Sequence, residues 1–126
     1  MTSTLFAYGT LQHDLIISYV LGRVPESTPA MLDDFARYAI RGQDFPGLIP
    51  EPRAKTDGTA FFGILPAEWE KLDSYESDLY DRQSVTIVLK DGQPETANAY
   101  VIPHTYQHVL SNQLWEIKKY KPNPQP

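Results

Sequence analysis

The chain has 126 residues, of which 41% are hydrophobic, 21% charged and 12% aromatic, the profile of a single folded domain with a real core and not of a disordered chain. A formal net charge of −5 argues against a general binder of phosphate backbones, which needs a basic patch, and nucleic acid is not an expected partner. The lack of cysteine excludes disulfides, thiol nucleophiles and thiolate metal sites; with no apolar run near the ~20 residues of a membrane span and no basic, then apolar, start, the expected address is cytoplasmic, off the membrane.

Ser3 to Tyr8 reads as a buried strand stopped by Gly9. Residues 15–21 (LIISYVL) place Ile16, Tyr19 and Val20 at helical spacing, with Gly22 where a helix-ending glycine belongs. The proline-marked stretch 23–34 is expected to be a connection, and 35–41 (FARYAIR) a strand. Residues 42–58, with three prolines, are expected to form a long loop of the kind that often carries function. Thr59 to Leu65 follows as an apolar strand with Gly63 inside it, and Pro66 opens a helix of good formers through Tyr75. Asp81 to Lys90 is the clearest strand, with Val85, Ile87 and Leu89 on one face. Asp91-Gly92 marks a turn, and Thr96 to Ile102 returns as a strand. Thr105 to Lys119 is expected to be a helix with a thin apolar stripe, and residues 120–126 (YKPNPQP) a mobile tail. The sum is α+β: a small mixed or antiparallel β-barrel with peripheral helices.

Two places carry candidate chemistry. Trp69, Leu72, Asp73 and Glu76 fall at i, i+3, i+4 and i+7, one face of a helix whose apolar members mark it as buried. If the helix continues, Glu76 projects from that face, loses hydration and gains a raised pKa suited to general acid–base work. If the helix ends near Tyr75, Glu76 points to water. The second place is Tyr8-Gly9-Thr10-Leu11. Its glycine permits close approach of backbone to a ligand, and amides leading into a helix can hold a carboxylate. The plainer reading is a strand-to-helix corner with Thr10 as a cap.

Other arrangements point away from a site. His104 and His108 have the i, i+4 spacing of a metal pair, but without an HExxH pattern or an acidic ligand they read as a solvated helix start. His13 and the Asp33-Asp34 pair read as surface, and Phe45-Pro46-Gly47 as either a rigid wall or only a turn. No nucleophile elbow, P-loop or dinucleotide fingerprint occurs, so no cofactor and no metal are expected.

Taken together, the strand running into Tyr8-Gly9-Thr10-Leu11, the Gly63 strand, Leu72-Asp73-Ser74-Tyr75-Glu76, and Tyr80-Asp81-Arg82 opening a strand with Val85 resemble the gamma-glutamylcyclotransferase-like family, in its gamma-glutamylamine cyclotransferase and AIG2-like branch. The resemblance runs from about Leu5 to Ile102, with Phe45-Pro46 similar to the family's aromatic–proline step. It implies a small α+β barrel with a cavity at one end, and Tyr8, Gly9, Thr10 and Leu11 as backbone holders of a glutamyl group and its α-carboxylate. It further implies Glu76 as the catalytic acid–base, with Tyr80, Arg82, Phe45 and Pro46 as further substrate-binding candidates; the plainer reading of Tyr80 and Arg82 is an anchor of the helix–strand junction, with Arg82 paired to a nearby acid. The implied reaction needs no metal: the substrate's α-amine attacks its own γ-carbonyl, closing 5-oxoproline and expelling an amine or amino acid. The alternative is a non-catalytic binding protein that keeps the cavity for glutamyl compounds. A monomer or weak homodimer is expected. Gln12-His13-Asp14 departs from the pattern, since family members often carry a basic residue there.

Overall fold

The computed structural model describes residues 2–116. Eight regular elements follow in chain order: β1 (Leu5–Ala7), α1 (Asp14–Leu21), β2 (Ser27–Ile40), β3 (Pro46–Phe61), α2 (Pro66–Glu76), β4 (Asp81–Leu89), β5 (Pro94–Val101) and β6 (Leu110–Leu114). Short 3-10 turns lie at Thr10–Gln12, Ser77–Leu79 and His104–Val109.

Five strands close a ring. β1 lies antiparallel to β3, Leu5 opposite Phe61, and parallel to β5, Leu5 opposite Asn98. β5 runs antiparallel to β4, β4 to β2, and β2 back to β3, which completes a mixed barrel. β6 adds to the far end of β2, outside the ring. Closure leaves the five strands without the open edges that an exposed sheet presents.

β1 explains why the opening run is apolar at every position. Phe6 and Tyr8 enter the barrel interior with Leu32, Leu48 and Ile87. Leu5 and Ala7, on the opposite face, pack outside the barrel with Ile16, Ile17, Trp69 and Leu72 of the two helices. A strand buried on both faces has no room for alternation with polar residues. α1 ends at Gly22, whose φ of 81° is the left-handed cap, with its N–H donating to Ser18 O at 2.7 Å. At the start of α2, Pro66 takes the first helical position. The Glu68 carboxylate accepts the Leu65 N–H at 3.0 Å and two donors of Arg23 at 2.7 Å each. That ties the end of α1 to the start of α2, and the arginine holds the Glu68 carboxyl below its ordinary range.

The structure corrects several expected elements. Strand β2 begins at Ser27, inside the stretch read as a connection, and Ala30 and Leu32 alternate inward against exposed Met31 and Asp33. Most of the expected loop 42–58 is strand: β3 starts at Pro46. Its prolines are tolerated because Pro46 opens the strand, Pro50 sits opposite Phe35 at the edge of a bulge, and Pro52 lies within its unpaired residues 51–54, before Lys55 pairs with Asp33. The strand expected over 59–65 stops at Phe61, leaving Gly63 beyond it at φ 71°. Tyr19 is exposed, and Ile17 and Leu21 take its place on the buried stripe of α1. The helix expected from Thr105 is a 3-10 turn followed by β6, because Leu110 pairs opposite Ile40 and joins its apolar cluster. Its remainder, and the tail expected over 120–126, lie outside the described residues. Among the described residues no helix is long and apolar enough to cross a membrane.

Candidate active site

Where β1 leaves the barrel, a cavity of about 310 Å³ opens between three segments. One is the Tyr8–Leu11 corner, the second the Phe45-Pro46 step before β3, and the third the end of α2 with Ser77, Leu79 and Tyr80. Tyr75 and Tyr100 complete the wall.

α2 delivers Glu76 into this space. Trp69 and Leu72 anchor the helix in the core, and the helix runs through Glu76, so the stripe carries one carboxylate past its apolar members. The helix then stops abruptly: Ser77 adopts φ 65°, ψ −172°, a region nearly reserved for glycine. Glu76 keeps some accessible surface because it lines the cavity, but the protein packed around its carboxyl strips most of its hydration. Burial alone pushes its pKa up from 4.5 to about 8. No ion pair or side-chain hydrogen bond offsets this among the described residues.

The corner opposite presents backbone. Gly9 sits against Pro46, and a Cβ at position 9 would stand 2.9 Å from Pro46 Cγ, so only glycine permits this approach. Gln12 N–H and His13 N–H close the turn onto Gly9 O and Thr10 O at 3.1 Å each. The N–H groups of Gly9, Thr10 and Leu11 donate to no protein acceptor among the described residues. Three open amides at one corner are a donor set for an anion.

Tyrosines stiffen the walls. Tyr80 Oη donates to Pro46 O at 2.7 Å, Tyr8 Oη to Tyr100 O at 2.5 Å, and Tyr100 Oη to Asp73 Oδ1 at 2.6 Å. Burial raises the pKa of all three hydroxyls well above the ordinary value, so they remain neutral donors. Thr10 Oγ1 and Tyr75 Oη face each other at 3.4 Å.

Of the residues implicated from sequence, Tyr8, Gly9, Thr10, Leu11, Phe45, Pro46, Glu76 and Tyr80 meet at this cavity. Arg82 does not line it. Its Nε lies 3.6 Å from Asp73 Oδ1 and its guanidinium 4.8 Å from the Trp69 ring, so it braces the outside of α2 against β4. Gln12 also turns away from the cavity: its side chain donates to Gly9 O at 3.3 Å and accepts from Thr59 Oγ1 at 3.1 Å. Tyr75, Ser77, Leu79 and Tyr100 were not expected at the site. Tyr100 alone carried a signal, as a polar-tipped residue inside an apolar strand.

Comparison with known proteins gives one consistent result. The family model described as gamma-glutamyl cyclotransferase, AIG2-like, matches residues 5–120. AIG2-like protein D of Arabidopsis thaliana is 36% identical over 92 residues, covering 73% of this chain and 60% of that protein. The chain thus spans three-fifths of the length of that relative, and 51% of AIG2-like protein C. The solution structure of At5g39720.1 from Arabidopsis thaliana superposes with a TM-score of 0.77 at 27% identity, covering 86% of this chain and 74% of that one. A structure titled gamma-glutamyl cyclotransferase superposes with a TM-score of 0.68 at 17% identity, over 82% of this chain and 68% of that one, a likeness of fold. Family model, sequence identity and barrel agree: this chain belongs to the gamma-glutamyl cyclotransferase, AIG2-like family.

Proposed function

We propose that this chain is a γ-glutamyl cyclotransferase that releases 5-oxoproline from a γ-glutamyl amide or γ-glutamyl amino acid. The observation that carries the reading is one carboxylate of raised pKa, Glu76, in a cavity that the corner with open backbone amides also lines.

The chemistry needs a base and then an acid at neighbouring nitrogens. The substrate's α-amine arrives as an ammonium and cannot attack until it loses a proton. Glu76, with a pKa of about 8, is a strong enough base to accept that proton near neutral pH. The freed amine attacks the γ-carbonyl, a C–N bond forms, and a five-membered ring closes around a tetrahedral carbon bearing an oxyanion. The bond from that carbon to the leaving nitrogen then breaks as Glu76 returns the proton to that nitrogen. The ring nitrogen, which still carries two hydrogens and a positive charge, gives its second proton to the freed Glu76 carboxylate, which passes it to the departing amine, leaving 5-oxoproline and an ammonium. Both protons that leave the attacking nitrogen end on the leaving one, so one carboxyl serves every transfer. Holding the flexible glutamyl chain in its cyclic geometry is the other contribution, since orientation alone supplies a large part of the rate of an intramolecular reaction. The amides of Gly9, Thr10 and Leu11 suit the α-carboxylate that this orientation must fix.

Screening γ-glutamyl amides and γ-glutamyl amino acids for 5-oxoproline by mass spectrometry tests the proposal. Release by the wild-type chain and its loss in a folded Glu76→Gln variant is the expected result. Full activity in that variant removes Glu76 from the mechanism. Binding of glutamyl compounds without any release transfers the site to the non-catalytic alternative.

A further inference from the structure

Arg37, on β2, is a buried guanidinium that does not line the cavity. Its Nη1 donates to Tyr8 O at 2.7 Å and to Asp57 O at 2.8 Å, its Nη2 to Asp57 Oδ1 at 2.6 Å, and its Nε to Trp115 O at 3.0 Å. Its carboxylate partner Asp57 has a side chain 65% exposed, and water screens such a pair. A buried charge so paired is a weak device for stability, because an apolar side chain of similar volume commonly does as well. Three of its four hydrogen bonds go instead to backbone carbonyls, which is what a part that fixes chain geometry does.

We propose that Arg37 is a positioning residue for the substrate cradle: by fixing the Tyr8 carbonyl it aims the Gly9 N–H at the substrate's α-carboxylate. The C=O and N–H of a trans peptide unit point in opposite directions, and the described chain has no cis peptide. With the Tyr8 carbonyl held on Arg37, the Gly9 N–H of the same unit points away from Arg37, toward the space that Gly9 lines. The following unit is pinned in the same way: Gly9 O accepts Gln12 N–H at 3.1 Å and Gln12 Nε2 at 3.3 Å, which turns the Thr10 N–H outward. Gly9, at φ −124° and ψ −137°, has no side chain to hold this shape itself, and glycine is the residue that most readily leaves it. A guanidinium on the Tyr8 carbonyl also polarises the peptide unit and strengthens its N–H as a donor. Lysine cannot replace it: a single ammonium with three donors cannot span oxygens spread along a planar fork.

The inference rests on the reading of Tyr8–Leu11 as the glutamyl cradle, and two measurements separate its failure from the failure of that reading. In steady-state kinetics, Arg37→Lys should raise KM about 10-fold to 100-fold, the loss expected for a misdirected hydrogen bond to a charged group. Its kcat should fall by a smaller factor than its KM rises, through lost orientation, and its pH profile should stay unmoved, because Glu76 is untouched. In NMR of the wild-type chain, the Gly9 amide should shift on saturation with 5-oxoproline, and Arg37→Lys should weaken that binding in step with KM. An active wild type whose folded Arg37→Lys variant keeps its KM, or loses kcat alone, overturns the role of Arg37 and leaves the cyclotransferase standing. An active wild type whose Gly9 amide ignores 5-oxoproline overturns it as well, and decides the matter if Arg37→Lys does not fold. A chain that neither releases 5-oxoproline nor shifts at Gly9 overturns both readings.

Discussion

Replacing Glu76 with glutamine should make the protein more stable, by an amount that grows with pH. A carboxyl whose pKa is about 8 in the fold and 4.5 outside it binds its proton more tightly when the chain is folded. Its contribution is therefore most favourable below pH 4.5 and is lost as the pH rises toward 8, each pH unit between the two removing about 1.4 kcal/mol. Glutamine keeps nearly the same shape and carries no charge to desolvate. At pH 7 the variant should exceed the wild type by about 3 kcal/mol, or ~10 °C in melting temperature for a domain of this size. Urea denaturation of both proteins at each pH from 4 to 9 measures the difference directly. It should be near zero at pH 4, climb through neutrality and level off above about pH 8. A difference that does not change with pH, or a variant less stable than wild type at pH 8, would refute the claim that Glu76 is a desolvated carboxyl. The gain should come with loss of activity, as expected where a functional group is held against its own solvation.

The same titration should appear in the kinetics: 5-oxoproline release should rise from pH 6 and flatten above about pH 8, whereas a flat profile over that range would mean that another group supplies the base. Ser77→Gly should raise unfolding stability by about 1–2 kcal/mol, since φ 65°, ψ −172° is costly for any residue with a side chain; an unchanged or lowered denaturation midpoint counts against strain there. Gly9→Ala should lower kcat/KM by at least about tenfold, because a Cβ 2.9 Å from Pro46 Cγ must move one wall of the cavity; an alanine variant of wild-type activity would show that the walls yield freely. Tyr80→Phe should cost about 1 kcal/mol of stability by leaving Pro46 O without its 2.7 Å partner, and equal denaturation midpoints would contradict that.

The site was more legible in the sequence than the strands that carry it. Helical periodicity, being local, made Glu76 a candidate, since Trp69 and Leu72 mark the buried side of α2; whether the helix reached Glu76 stayed open, and the family resemblance decided for it. The corner at Gly9 was visible for a similar reason, since an apolar run ending in glycine marks a strand end. Residues 42–58 misled because proline and glycine signal loops locally, whereas their pairing with β2 is decided by residues well upstream and by a bulge that absorbs two prolines. The segment after Thr105 misled in the same way: Leu110 is committed to Ile40, some 70 positions earlier, and no local pattern announces it. Arg82 was drawn into the site by its neighbourhood in sequence, but its guanidinium went to the Trp69 ring and to Asp73 on the outside of α2. Arg37 was overlooked as one of two charges within FARYAIR, although a charge in a run so apolar needs buried partners, and here they include the Tyr8 carbonyl.

The shortness of β1 has a consequence for when the site comes into being. Three residues cannot make a stable strand alone, and their partners are Phe61 on one side and Asn98 on the other. The corner that follows β1 thus takes its shape only when both neighbouring strands are in place. β3 and β5 form the slot that it occupies. A chain stopped after β4 would contain Glu76 and the full Tyr8–Leu11 sequence, yet β1 would lack its β5 partner. Barrel closure therefore also completes the wall of the cavity that Glu76 and the Tyr8–Leu11 corner share.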